Sequence, residues 1–247
     1  MALAADWLLP DWPAPARVKA CVTTRAGGVS LPPFDTFNLG EHVEDDLQAV
    51  ADNRQRLSAL IGRQPAWLRQ VHGIAVADAD PAVVAEADAS WTASAEIACA
   101  VLTADCLPVL FCDRAGTRVA AAHAGWRGLA GGVLEATLAA LAVPADEVLV
   151  WLGPAIGPRA FEVGGEVREI FLGADPQAAT AFVPSPNAGR FMADIYALAR
   201  LRLAAVGVTA VYGGGFCTVS DPRFYSYRRA ARTGRFASLV WLDAFGE

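Results

Sequence analysis

Three short apolar runs at the centre of the chain, IACAVLT (97–103), LPVLFC (107–112) and TRVAAA (117–122), constrain its fold more than any other feature. Each is rich in strand-forming residues, and DRAG (113–116) between the last two has turn composition. They predict a strand followed by a β-hairpin. HAGWRG (123–128) then leads into LAGGVLEATLAALA (129–142), an apolar helix closed by Val143 and Pro144, and VLVWLG (148–153) returns as a buried strand. Elsewhere RVKACVTT (17–24) alternates like a strand, and a Gly-, Pro- and Asp-rich loop follows over 26–46. From Asp46 the spacing of Leu47, Val50, Arg54, Leu57 and Ile61 suits a helix ending near Gly62. PAWLRQVHGIAVADA (65–79) reads as strand, turn and strand. ADIYALARLRLAAVG (193–207) is an amphipathic helix stopped by Gly207, and TAVYGG (209–214) and FASLVWL (236–242) supply further strands. Strands and helices alternate, yet hairpins are present, so a mixed α/β fold with a mixed sheet packed by helices is expected. No repeat or linker divides the 247 residues, and a single domain over 1–247 follows.

Composition removes several function classes. Hydrophobic residues are 54% of the chain but are interrupted by Gly, Pro or charge, so no run reaches the roughly 18 residues that span a bilayer. The N-terminal MALAADWLLPDWPAPARVKA lacks a positive leading segment and is broken by Asp6, Pro10 and Asp11, unlike a secretory signal. A cytoplasmic protein, plausibly monomeric, is expected. Five scattered cysteines with no CxxC pair argue against a disulfide framework. The net charge of -6 argues against a broad nucleic-acid footprint, with one local exception in the Arg-rich RFYSYRRAARTGR (223–235). That stretch suits either a phosphate or stacked base, or a solvated, salt-bridged loop.

Of three histidines, His72 in QVHG and His123 in AAHAGWRG stand where an apolar strand meets a Gly-containing turn. Such a histidine can be a hydrogen-bonded structural residue or a ligand. If 113–116 form a four-residue loop, Cys112 faces Thr117, and counting outward brings Cys106 opposite His123, with Cβ atoms roughly 4.5–5.5 Å apart. The pair can then serve as nucleophile and base, or bind a metal with His72 as a third ligand and one position left open. Asp105 can orient a ligand, shuttle a proton, or simply cap a turn. The HAGWRG loop at a helix start, with Arg127, is a candidate anion site.

NLGEHVEDD, NRQRL, QVHG, ADAS, TADCLPVLFCD, AAHAGWRG, LGPAIGPRAFEVG and FCTVSDPRFYSYRRAARTGRFASLVWL run in order from about residue 20 to the C-terminus. Together they resemble the successive blocks of the YfiH or laccase-like polyphenol oxidase family, whose members are described as purine nucleoside phosphorylases. The resemblance implies an α/β sandwich similar to the cytotoxic necrotizing factor catalytic domain, with zinc held by His72, Cys106 and His123. It implies phosphorolysis of adenosine, inosine and methylthioadenosine, and deamination of adenosine, with small-molecule partners only. Arg54 and Arg127 would contact anionic groups and Asn38 would line the pocket. Members are also described as copper-dependent phenol oxidases and as editors of UDP-MurNAc-amino acid cell-wall precursors, which would make Cys106 and His123 an amidase pair. Copper is a possible occupant, but multicopper oxidation needs roughly four coppers and many His ligands, which three histidines do not supply. A non-catalytic metal-storage protein is a further alternative.

Overall fold

The computed structural model describes residues 4 and 6–244; the start of the N-terminal segment read above against a secretory signal lies outside them. In chain order the first half contains β1 (Val18–Val22), α1 (Leu47–Ile61), β2 (Gln64–Ala66), β3 (Leu68–Arg69), β4 (Val76–Asp78), β5 (Ala85–Glu86) and β6 (Ala89–Thr92). The central block is β7 (Ile97–Thr103), β8 (Leu107–Asp113), β9 (Val119–Ala124), α2 (Trp126–Gly131), α3 (Val133–Leu141) and β10 (Val148–Leu152). Then come β11 (Glu162–Gly164), α4 (Gly165–Ala174), β12 (Phe182–Pro184), β13 (Arg190–Ala193), α5 (Ile195–Ala205), β14 (Ala210–Gly213) and β15 (Phe236–Leu242).

Two sheets form the body of the fold. One has strand order β1-β15-β7-β2 and the other β14-β10-β8-β9-β6-β4, each mixing parallel and antiparallel pairs. The alternation along β7 explains their stacking. Cys99 and Val101 enter an apolar layer shared with Leu110, Val119 and Trp151 of the larger sheet, while Ala98, Ala100 and Leu102 turn outward to meet Leu57 and Ile61 of α1. The outer face of the larger sheet carries Val109, Phe111 and Ala122, which pack against Leu134 of α3 and Leu198 of α5. The layers therefore run helix, sheet, sheet, helix. Central strands are covered on both faces, which is why their sequences are continuous apolar runs and not the alternating pattern of a half-exposed sheet. No helix among the described residues is long and apolar enough to cross a membrane.

The structure corrects two local expectations, the hairpin register and the unbroken helix after it, and adds a detail to α1. The β8–β9 register pairs Cys112 with Val119 and Pro108 with His123, two residues away from the counted one. The cause is the turn: the Asp113 carboxylate accepts the Thr117 and Arg118 N–H groups and the Thr117 hydroxyl, so the connection is longer than DRAG alone. A shift of two preserves the sheet face, so Cys106 and His123 still converge, diagonally. The helix expected over 129–142 is divided at Gly132, whose φ of 103° interrupts α2 and α3. In α1, Asn53 is buried and Leu47 is exposed, because the Asn53 carboxamide ties the preceding loop to the helix through Val29 N, Ser30 Oγ and Asn38 O.

Replacing Asp113 by Ala removes these turn contacts and is expected to destabilise the protein by about 1–3 kcal/mol. Thermal unfolding monitored by circular dichroism should show the corresponding fall in Tm.

Candidate metal centre

Three chain segments meet at one point. β7 lies in one sheet and β8 in the other, so residues 104–106 form the crossover between them, and Cys106 sits there beside the start of β8. Asp105 adopts a φ of 96°, a left-handed conformation that costs a non-glycine residue about 1–3 kcal/mol unless its surroundings impose it. Its buried carboxylate does so, accepting the Thr218 hydroxyl at 2.6 Å and the Arg228 N–H at 2.6 Å. Asp105 is therefore a structural anchor that fixes the presentation of Cys106.

His123 lies on β9, and its ring Nδ1 is 2.8 Å from Asp88 Oδ1. With Nδ1–H donated to this carboxylate, the Nε2 lone pair is the one available to a ligand. The same carboxylate shapes the turn bearing His72. It accepts the N–H groups of Val71 at 3.2 Å, His72 at 2.9 Å and Gly73 at 2.6 Å, and so holds His72 at a φ of 61°. Gln70 secures this segment to β7 by bonding both the N–H and C=O of Leu102.

The donor atoms of His72, Cys106 and His123 all lie within 4.8 Å of one another, with Cys106 Sγ and His72 Nε2 3.7 Å apart. Ligands at ordinary Zn–S and Zn–N distances in a tetrahedron stand about 3.3–3.6 Å apart. The space between them is kept by Gly125: a Cβ there would lie 2.6 Å from His72 Cδ2 and 3.1 Å from Cys106 Sγ. Donor chemistry, spacing and this glycine fit a single ion with one coordination position to spare. Burial pushes the Cys106 thiol up, but the charge and hydrogen bonds of His123, with His72, outweigh it and hold the thiol down to about 6. For His123, burial works against the charged form, while Cys106 and Asp88 outweigh it and lift the ring to about 9. The Asp88 carboxyl is held below its ordinary range, its burial overcome by the bonds from His123, Gly73 and Val71.

The centre opens into a cavity of about 610 Å³. Arg127 lines it, its guanidinium 4.4 Å from the ring centroid of Trp126. Phe161, Glu166, Tyr227 and Arg228 form other walls, and His42 and Arg235 line it as well. Asn38 and Arg54 are not among the lining residues. The Asn38 side chain is fully buried and bonds Gly40, Asp45 and the Arg235 N–H. Arg54 pairs with Glu41 at 2.6 Å and stacks 4.4 Å over Trp67. Within the Arg-rich stretch, Arg228 and Arg235 reach the cavity, whereas Arg223 pairs with Asp221. Sequence reasoning passed over Asp88, although an acidic residue at the head of an apolar strand in the ADAS block was a visible signal.

The sequence profile described as multi-copper polyphenol oxidoreductase laccase matches residues 19–243. The chain belongs to this laccase-like family. The purine nucleoside phosphorylase of Pseudomonas aeruginosa is 71% identical over 238 residues, covering 96% of this chain and 98% of that protein. The purine nucleoside phosphorylase YfiH of Escherichia coli K12 is 53% identical over 240 residues, with 95% and 98% covered. A crystal structure of a Neisseria meningitidis protein superposes with a TM-score of 0.94 at 54% identity, covering 97% of this chain and all of that one. Membership of the laccase-like family and the His–Cys–His cluster together indicate a metal-binding protein.

Two outcomes follow for metal uptake. Gly125→Ala should abolish metal retention, measured by elemental analysis, while the circular dichroism spectrum stays native, because Gly125 has a φ of -60° that alanine adopts freely. Binding requires the thiolate and neutral imidazole, so the Cys106–His123 pair should release one proton per ion between about pH 6 and about pH 9. Affinity should rise with pH across that window and fall more steeply below it, as calorimetric titration in buffers of different ionisation enthalpy would record.

Proposed function

We propose that the chain is a zinc-dependent purine nucleoside phosphorylase acting on adenosine, inosine and methylthioadenosine, and that it also deaminates adenosine. The observation that carries this reading is the two-His, one-Cys centre, with a position to spare, opening into a cavity whose volume of about 610 Å³ suits a nucleoside. The relatives named purine nucleoside phosphorylase support the substrate class. Zinc is favoured by the mixed thiolate and imidazole set, which copper can also use. Bound there, zinc would supply Lewis acidity toward an oxygen at its open position.

The residues of the cavity divide the remaining work. Trp126, Phe161 and Tyr227 offer aromatic surface to the purine, and Arg127 offers charge to an anionic reactant. In phosphorolysis a phosphate oxygen forms a bond to ribose C1′ while the bond from C1′ to the purine nitrogen breaks. The base leaves with the bonding pair and takes a proton, giving ribose 1-phosphate. Deamination uses water and releases ammonia and inosine. We place the enzyme in the cytoplasm, a reading supported by five free cysteines.

A second reading is favoured by one feature, the succession Asp88, His123, Cys106. An oriented imidazole beside a depressed thiol also suits a cysteine amidase acting on cell-wall precursors. The two readings separate experimentally. For the zinc phosphorylase, Cys106→Ala should lose both zinc and inosine phosphorolysis, and chelation should abolish turnover. Chromatography of products from adenosine with and without phosphate should show adenine only with phosphate and inosine in either case. Activity that survives chelators, with covalent trapping at Cys106, would transfer the assignment to the amidase.

A further inference from the structure

Arg235 is a cation that lines the cavity of the candidate metal centre and is paired with no carboxylate among the described residues. Its backbone is clamped by the FNLG loop: the Arg235 N–H donates to Asn38 Oδ1 at 2.8 Å, and its carbonyl accepts from Leu39 N at 3.1 Å. Gly40 makes room for its stem, since a Cβ there would lie 2.8 Å from Arg235 Cγ. The guanidinium is half-buried and lines the cavity. Only Nη1 is engaged, donating to the carbonyls of Thr233 and Gly234 at 3.0 and 3.1 Å. Arg235 forms no ion pair among the described residues, and its Nε and Nη2 have no hydrogen-bond partner there.

The nearby anions do not neutralise it. Asp105 is committed to Thr218 and the Arg228 N–H, and Cys106 belongs to the ligand set. A partly desolvated guanidinium with free, forked donors is the arrangement that recognises a tetrahedral oxyanion. Arg127, by contrast, is exposed at the rim and stacked on Trp126.

We propose that Arg235 is the principal anion-binding residue of the cavity and that its ligand is orthophosphate, the co-substrate of the reaction proposed above, on which this inference rests. The FNLG loop then serves to seat Arg235, and Asn38 acts through it and not by touching the substrate.

The test is calorimetric titration of the purified, metal-containing protein with orthophosphate, which requires no turnover. Wild-type protein should bind. Arg235→Gln should raise the phosphate Kd about tenfold or more, the scale of one lost charge-assisted hydrogen bond. Arg235→Lys, which keeps the charge and stem, should fall between the two and guards against a folding defect, with thermal melts run on each. Arg127→Gln should raise the phosphate Kd by less than Arg235→Gln does, because its exposed guanidinium is stacked on Trp126. Absence of phosphate binding by the wild type overturns the proposal, as does unchanged affinity in both Arg235 variants. Binding through Arg235 in a protein that does not cleave inosine keeps this subsite and removes phosphorolysis. Phosphorolysis with an unchanged phosphate KM in Arg235→Gln keeps the reaction and removes the subsite.

Discussion

The Asp88 carboxylate is the interaction on which the rest of the centre depends. It is fully buried, and four N–H donors converge on it from two segments: the backbone of Val71, His72 and Gly73, and the His123 ring. An isolated buried carboxylate would be costly, and this one is tolerated because its lone pairs are filled. The arrangement does two jobs with one charge. It selects the imidazole nitrogen left free on His123, and it forces His72 into a backbone conformation that a freely chosen turn would avoid.

Around that carboxylate the fold brings together residues that no single element could hold. β9 supplies His123, a turn beyond β3 supplies His72, and the crossover between sheets supplies Cys106. The sandwich gives rigidity on both sides of the crossover, since strands covered on two faces leave little room for a shift. Polar tethers complete the alignment: Gln70 on β7, and Asp105 on the C-terminal loop. The ligand loop and the cavity wall bearing Arg228 are thus linked through Asp105.

Much of this was legible in the sequence. The apolar runs at 97–103, 107–112 and 236–242 are strands because their composition permits burial on both faces. Asp46 and Gly62 bound α1 as cap and stop signals should, the former accepting the Ala49 N–H and the latter at a φ of 67°. Cys106 and His123 could be paired from the hairpin, although the turn length depended on Asp113, whose side chain bonds are invisible to a count of residues. His72 had no comparable local signal and entered through family resemblance. The roles of Asn38 and Arg54 were not legible at all. Both are polar residues in distinctive motifs, and only tertiary packing decides whether such a side chain faces a ligand or braces the loop behind it. Arg235 illustrates the converse, a site-facing cation concealed in a run of arginines that are mostly at the surface.

The crossover position of Cys106 also bears on what a bound metal would do for the stability of the fold. The ligands come from three separate segments that meet only when both sheets have closed on one another. A denatured chain offers no such cluster, so an ion bound here favours the native state by mass action, about 2.7 kcal/mol when its free concentration is a hundredfold above Kd. An ion held by these three residues would therefore act as a clasp across the crossover between the two sheets as well as a centre for chemistry.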